Sequence, residues 1–347
     1  MSRWTVRPIR ALDGYAVEWA DADGLLLSRG NRLFAARAAD DRPSLLASFP
    51  APAWKAAAGR WRLLQRLLRF GFYNVLRLPD GSLFVTFDRD IGLVRDGAVH
   101  AISGVRRPFR VLRAACALAA DGNIYFGEYF YNEQREPVCI YRYRPGAGAV
   151  EIVHEFPSGA VRHVHGIYRD PHDERLWCLT GDRDDECRFT TSADGFATTE
   201  VVGRGDESWR AVSVQFTADF VYYGTDAEFQ DNHLVRLRRA TGEREPLCEV
   251  DGPVYYSQAV GGDLFFAVTA ELCPGQKDRA ATLWHVADDA APSRVVSFEK
   301  DALPLHYFQA GILNLSRGPA DGAGFYLQGQ GLRGADNRVF RVERATG

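Results

Sequence analysis

Hydrophobic and polar positions alternate along most of this chain in short runs, each closed by Gly, Pro or Asp, and the runs recur. Val212-Ser213-Val214-Gln215-Phe216 is followed by Phe220-Val221-Tyr222-Tyr223-Gly224-Thr225-Asp226. His233-Leu234-Val235-Arg236-Leu237 and Glu245-Pro246-Leu247-Cys248-Glu249-Val250 come next. A period of two, rich in β-branched and aromatic residues, is a strand signal. The same grammar returns through 111–118, 123–128, 138–143 and 150–154, and again from 161 to about 202. Four strands repeating roughly every 40 to 50 residues describe propeller blades. Roughly seven units begin near Leu12, Gly71, Phe109, Val161, Trp209, Pro253 and Leu305. The last stops after three strands, at 338–342, and the amino-terminal run 4–9 supplies a fourth, which hides the sheet edges. The expectation is an all-β, seven-bladed β-propeller of four-stranded blades, a single domain over residues 1–347.

One segment departs from this period. Residues 54–70, WKAAAGRWRLLQRLLRF, place Trp54, Trp61, Leu64 and Leu68 on one face at helical spacing, with Lys55, Arg60, Arg62, Arg66 and Arg69 over much of the rest. An inserted amphipathic helix is expected, packing its apolar face on the parent domain as a lid or rim. A peripheral contact with an anionic membrane surface is the other use of such a helix.

Composition narrows the partners. The net charge is −3 and no block of like charge occurs, which argues against a nucleic-acid binder. Lysine is confined to Lys55, Lys277 and Lys300, so arginine carries nearly all the positive charge. The six cysteines show no CxxC spacing, the first residues lack the apolar core of a signal peptide, and no apolar run reaches membrane-spanning length. A cytoplasmic chain with reduced thiols is expected.

Candidate chemistry gathers at two positions of the repeat. In a propeller the innermost strand starts, and the next strand ends, on the same face. The second-strand ends read Asp88, Glu128, Asp182, Asp226 and Glu271, and the first-strand starts bring Arg110, Arg162 and Arg210. Acids at a turn are also ordinary turn chemistry. Three arginines from neighbouring blades suit a carboxylate, or else simply balance the acids. VRHVHG (161–166) adds His163 and His165, two apart on a strand and therefore on one face. They read as ligands of one divalent metal ion, with His306 as a third and Glu128 or Gln309 as oxygen donors. Acid–base residues, or hydrogen-bonded histidines lining a wet channel, are the other readings. Tyr129, Tyr131, Tyr255 and Tyr256 lie beside these positions and suit stacking on sugar rings, although strands favour tyrosine anyway.

The turn Thr191-Ser192-Ala193-Asp194-Gly195-Phe196-Ala197-Thr198 resembles the Asp-box of sialidase-like (BNR-repeat) propellers, one residue short between Asp and Gly and without the Trp. The resemblance covers one turn of one blade and implies a carbohydrate-active superfamily. Arg110, Arg162 and Arg210 are similar in placement to the arginine triad with which sialidase-like enzymes hold an acidic sugar. No Phe-Arg-Ile-Pro segment accompanies them. The histidines resemble those of propeller lyases that act on uronates with a histidine-bound divalent ion. The leading expectation is therefore a glycosidase or polysaccharide lyase acting on an acidic carbohydrate. His163, His165, Glu128, Asp182 and Asp226 are its catalytic candidates, and Arg110, Arg162, Arg210, Tyr129, Tyr256 and Glu271 its substrate-binding candidates. The competing class is a non-catalytic propeller that binds a glycan or a protein partner.

Overall fold

Short alternating runs pair with the runs that follow them, because two antiparallel strands need only a tight turn between them. A computed structural model of the chain describes residues 4–287, 290–319 and 322–345. It is a seven-bladed β-propeller, each blade a four-stranded antiparallel sheet in sequential order. The blades begin with strands Ala16–Asp21, Phe72–Arg77, Ala117–Leu118, His163–Arg169, Val214–Phe216, Val254–Val260 and Ile312–Leu315. In the seventh blade, Trp4–Pro8 pairs with Val339–Arg344, so the amino-terminal strand completes the sheet as expected. All six cysteines are free.

The blades group into two compact units. The described residues of Met1–His100, Tyr256–Leu272 and Lys277–Gly347 form the first, and Ala101–Tyr255 with Cys273–Gln276 form the second. In the second unit, Val138, Ile140, Val164, Ile167, Leu176 and Phe196 fill one core, and Leu179, Phe189, Val214, Val221 and Tyr223 fill another. Gly127 ends the second strand of blade 3, and a Cβ there would meet Val164 Cβ at 2.4 Å. Only glycine lets that strand approach the first strand of blade 4 so closely, which fixes where His163 and His165 lie.

The turn 191–198 joins the third and fourth strands of blade 4. Ser192 Oγ accepts from Phe196 N at 2.8 Å, and Asp194 accepts from Thr198 N at 2.9 Å and Thr198 Oγ1 at 2.7 Å. These bonds hold the Asp194 carboxyl down at about 2.

The inserted segment differs from its expected form. It is two short helices, α1 (Ala53–Ala58) and α2 (Arg62–Leu68), broken where Gly59 ends the first and Trp61 takes an extended conformation. Three of the four residues of the apolar face, Trp54, Trp61 and Leu64, also turn the other way, and Leu68 alone packs inward. Arg62 makes a bidentate pair with Asp336 (2.7 and 3.0 Å), and Arg66, only 3% exposed, reaches Asp301 at 2.5 Å. Arg66 also donates to Phe308 O at 2.8 Å, on α3 (Leu305–Phe308). Leu68 and Phe70 point into the core beside Phe87, while Trp54, Trp61, Leu63, Leu64 and Leu67 are exposed. The bidentate Arg62–Asp336 pair and the Arg66–Asp301 pair fix the docked face, and most of the apolar stripe is left outside.

Candidate functional site

Blade 4 builds the site from its first two strands. His163 pairs with Gly181 and Val164 with Thr180. The register then shifts before Gly166 pairs with Leu179, so His165 occupies a β-bulge. A bulge re-aims a side chain. Both rings nonetheless face the same group, with centroids 5.1 Å apart. Across the ladder, a Cβ on Gly181 would lie 2.6 Å from His165 Cε1, so the absence of a side chain at 181 makes room for the ring.

Asp182 follows that glycine and is the centre of the cluster. Its Oδ1 lies 3.1 Å from His163 Nε2 and 3.1 Å from His165 Nε2, and its Oδ2 accepts from Arg162 Nη1 at 2.7 Å. Arg210 Nη2 approaches Oδ1 at 3.6 Å. The opposite nitrogens of the rings face backbone carbonyls: His163 Nδ1 is 3.4 Å from Phe130 O, and His165 Nδ1 is 3.0 Å from Ala211 O. The Tyr129 ring covers His163 at a centroid distance of 4.1 Å.

Counting protons shows what this arrangement requires. A neutral imidazole carries one N–H, yet each ring faces an acceptor at both nitrogens. If Nδ1–H donates to the carbonyl, Nε2 presents a lone pair to a carboxylate oxygen. Two imidazolium ions would resolve the conflict, but burial lowers the His163 pKa, and Arg162 and Arg210 already bring positive charge to Asp182. A cation held between both Nε2 atoms and Oδ1 resolves it without extra protons. The three ligand atoms lie within 4.8 Å of one another. Ligand atoms about 2.0–2.2 Å from one ion stand about 3 Å apart, a spacing that the two contacts to Oδ1 share with ordinary hydrogen bonds. Carbonyls facing Nδ1 are the outer-shell partners that metal-bound histidines use. The residues therefore fit a divalent ion with two nitrogen ligands and one oxygen ligand. Burial by itself would raise the Asp182 pKa. Where the rings carry Nε2 protons, hydrogen bonding and charge from His163 and His165 overcome it and hold the group well below the usual carboxylate range.

Arg210 ties the cluster to blade 5. Its Nε donates to Asp226 Oδ2 at 3.0 Å, and its Nη1 lies 3.5 Å from Glu207 Oε1 and 3.9 Å from Glu228 Oε2. Arg162 also pairs with Glu133 and lies over the exposed Tyr131 ring. Asp182, Asp226, Glu207, Glu228 and Glu133 thus share Arg162, Arg210 and, at Glu133, Arg135. Asp226 is 4% exposed, and its Oδ1 is buried with no hydrogen-bond partner. Burial raises its pKa, opposed by Arg210.

The structure thus brings together His163, His165, Asp182, Arg162, Arg210 and Asp226, with Tyr129 above them. Arg110 sits at the edge, its backbone bridged to Tyr129. Glu128 is not in the cluster. It is fully buried, and its carboxylate accepts from Tyr141 Oη at 2.8 Å and Cys139 N at 3.0 Å inside blade 3. The metal set expected from the sequence needs one correction. Asp182, not His306, stands beside His163 and His165 as the third group that could hold an ion among the described residues. Residues 305–308 wind into α3 after Pro304 instead of starting an inner strand, and His306 is exposed there against Tyr307. Tyr256 and Glu271 also belong to the first unit, Tyr256 partly buried against its core. Glu207 escaped the sequence reading. Its carboxylate accepts from the backbone N–H groups of Glu228, Phe229 and Gln230 at 3.1, 2.9 and 3.2 Å, and it lies in a 3-10 turn that no periodicity marks.

No protein-family model matches the chain, and no curated protein matches its sequence. Its fold is similar to that of an oligogalacturonate lyase in complex with manganese, at a TM-score of 0.58 and 10% identity over 99% of this chain and 91% of that one. An oligogalacturonate lyase from Vibrio parahaemolyticus gives 0.56 and 9% over 99% and 92%. A chain of a mitotic checkpoint complex gives 0.57 and 13% over 100% and 95%. At such identities the likeness concerns architecture, and architecture does not fix activity. The chain is a seven-bladed β-propeller.

Proposed function

We propose that this chain holds one divalent metal ion on His163 Nε2, His165 Nε2 and Asp182 Oδ1, and there cleaves an acidic carbohydrate of the uronate class by elimination. The proton count at the shared oxygen carries the reading, since each imidazole faces an acceptor at both nitrogens, Asp182 Oδ1 at Nε2 and a backbone carbonyl at Nδ1. The oligogalacturonate lyase solved with manganese supports the substrate class. A bound divalent ion would supply Lewis acidity that neutralises a sugar carboxylate and acidifies the proton next to it, which would pass to solvent water or hydroxide as the double bond forms and the bond to the leaving oxygen breaks. Arg162, the more exposed arginine, adds charge at the edge of the cluster, and Tyr131 beside it offers a stacking face. Asp226 keeps its proton to higher pH than an ordinary carboxyl does, as a donor to a leaving oxygen requires. Hydrolysis would call for two opposed, available carboxyl groups, whereas those here are engaged by histidine and arginine.

A second reading follows from burial. His163 and His165 are 4% and 2% exposed, which suits an ion that fastens the fold of a glycan- or protein-binding propeller. Incubation with manganese and oligogalacturonides separates the two. Elimination predicts the ultraviolet absorbance of an unsaturated uronate, at least about 100-fold weaker in Asp182→Asn. A metal-loaded wild type that produces no unsaturated uronide would contradict the enzyme and leave the structural ion.

A further inference from the structure

We infer that the outward face of α1 and α2 is a docking patch for a bilayer surface that carries anionic lipid. Trp54 is 61% exposed and Trp61 69%, and Leu63, Leu64 and Leu67 stand out beside them. This apolar face is a consequence of how the segment is anchored. Arg62 and Arg66 are drawn inward by Asp336 and Asp301, so the residues that would ordinarily cover a core point to solvent. The outward basic residues are Arg60 and Arg69, both exposed and without a carboxylate partner among the described residues, whereas Lys55 is paired with Asp88 at 3.3 Å. Between Asp41 and Asp80 the sequence holds seven basic residues and no acidic one.

Two exposed indoles, three exposed leucines and two exposed arginines within one short segment match a lipid–water boundary. Indole rings favour headgroup depth, leucines favour the acyl boundary, and guanidinium groups are drawn to anionic lipid. No helix among the described residues is long and apolar enough to cross a membrane, so the contact is interfacial. The patch is separate from the Asp182 cluster in sequence and lies in the other unit. Activity on a soluble uronide requires no bilayer, so either reading can fail without the other.

Co-sedimentation of the full chain with vesicles tests it, using phosphatidylcholine alone and phosphatidylcholine mixed with phosphatidylglycerol. The wild type is expected to pellet with the mixed vesicles. Affinity should fall about 30-fold in Arg60→Gln/Arg69→Gln, from about fivefold for each cation near the surface. Trp61→Asp should lose at least about tenfold. All three positions are exposed, so unchanged melting curves will certify the folds. Wild type left in the supernatant with both vesicle types would overturn the inference, as would equal pelleting of Trp61→Asp. Equal binding to both vesicle types would refute the requirement for anionic lipid. Self-association abolished by Trp61→Asp, without vesicle binding, would assign the patch to a second copy of the chain instead.

Discussion

Gly181 faces His163 across the blade 4 ladder, and the space its missing side chain leaves is filled by the His165 ring. Gly181→Ala removes no ligand yet must push that ring, because the added methyl group would sit 2.6 Å from Cε1. The substitution is expected to weaken metal binding about 10- to 100-fold, the range for disturbed outer-shell support, and to leave far-ultraviolet circular dichroism unchanged. Titration with manganese or zinc measures it, and undiminished affinity would show that His165 is not a ligand. At this scale the sequence revealed part of the site. His163 and His165 are legible from a spacing of two, and Asp182 from the recurrence of an acid at the second-strand end. Nothing local says that both imidazoles and Arg162 converge on that one acid, because convergence depends on the bulge at His165 and on Gly181. Glu128 occupies the equivalent position in blade 3, but Tyr141 and a backbone amide claim it instead.

Among the elements, α2 shows how an ion pair can reverse an amphipathic expectation. Spacing gives the apolar stripe, and the stripe was expected to face the core. The outcome was decided by partners distant in sequence, Asp301 and Asp336, which no pattern within 54–70 announces. Burial would raise the pKa of both acids, but Arg66 and Lys300 lower that of Asp301, and Arg62 lowers that of Asp336. A carboxyl whose folded pKa is depressed contributes stability above its unfolded pKa, about 3.9, and loses it as pH falls through the folded value. Arg66→Ala should therefore cost about 3 kcal/mol at pH 7, the lower end for a broken buried pair, since Asp301 keeps Lys300. The cost should shrink at a pH below the depressed folded pKa of Asp301, where that group is protonated in both proteins. Urea unfolding at the two pH values checks this, and an equal cost at both would mean that Arg66 acts through Phe308 O alone.

For the whole molecule, architecture was the most legible property. Seven repeats of four alternating runs predict seven blades, and the shortfall of one strand at the carboxyl end predicts that the amino-terminal strand completes the seventh, as it does. Blade starts were least accurate where irregular chain precedes the sheet. Blade 3 begins at Ala117, not near Phe109, and blade 7 at Ile312, not near Leu305, because α3 intervenes. Periodicity reports strands and is silent about turns that happen to be apolar. Function lies a level beyond this pattern, since the same architecture serves a lyase and a checkpoint assembly. The central claim is one divalent ion per chain at His163, His165 and Asp182. Elemental mass spectrometry on purified, tag-free protein tests it most directly, with wild type beside His163→Ala/His165→Ala. One first-row divalent ion per wild-type chain, absent from the variant, is the predicted result. A wild type that carries no ion, and takes up none when incubated with manganese or zinc, would contradict it.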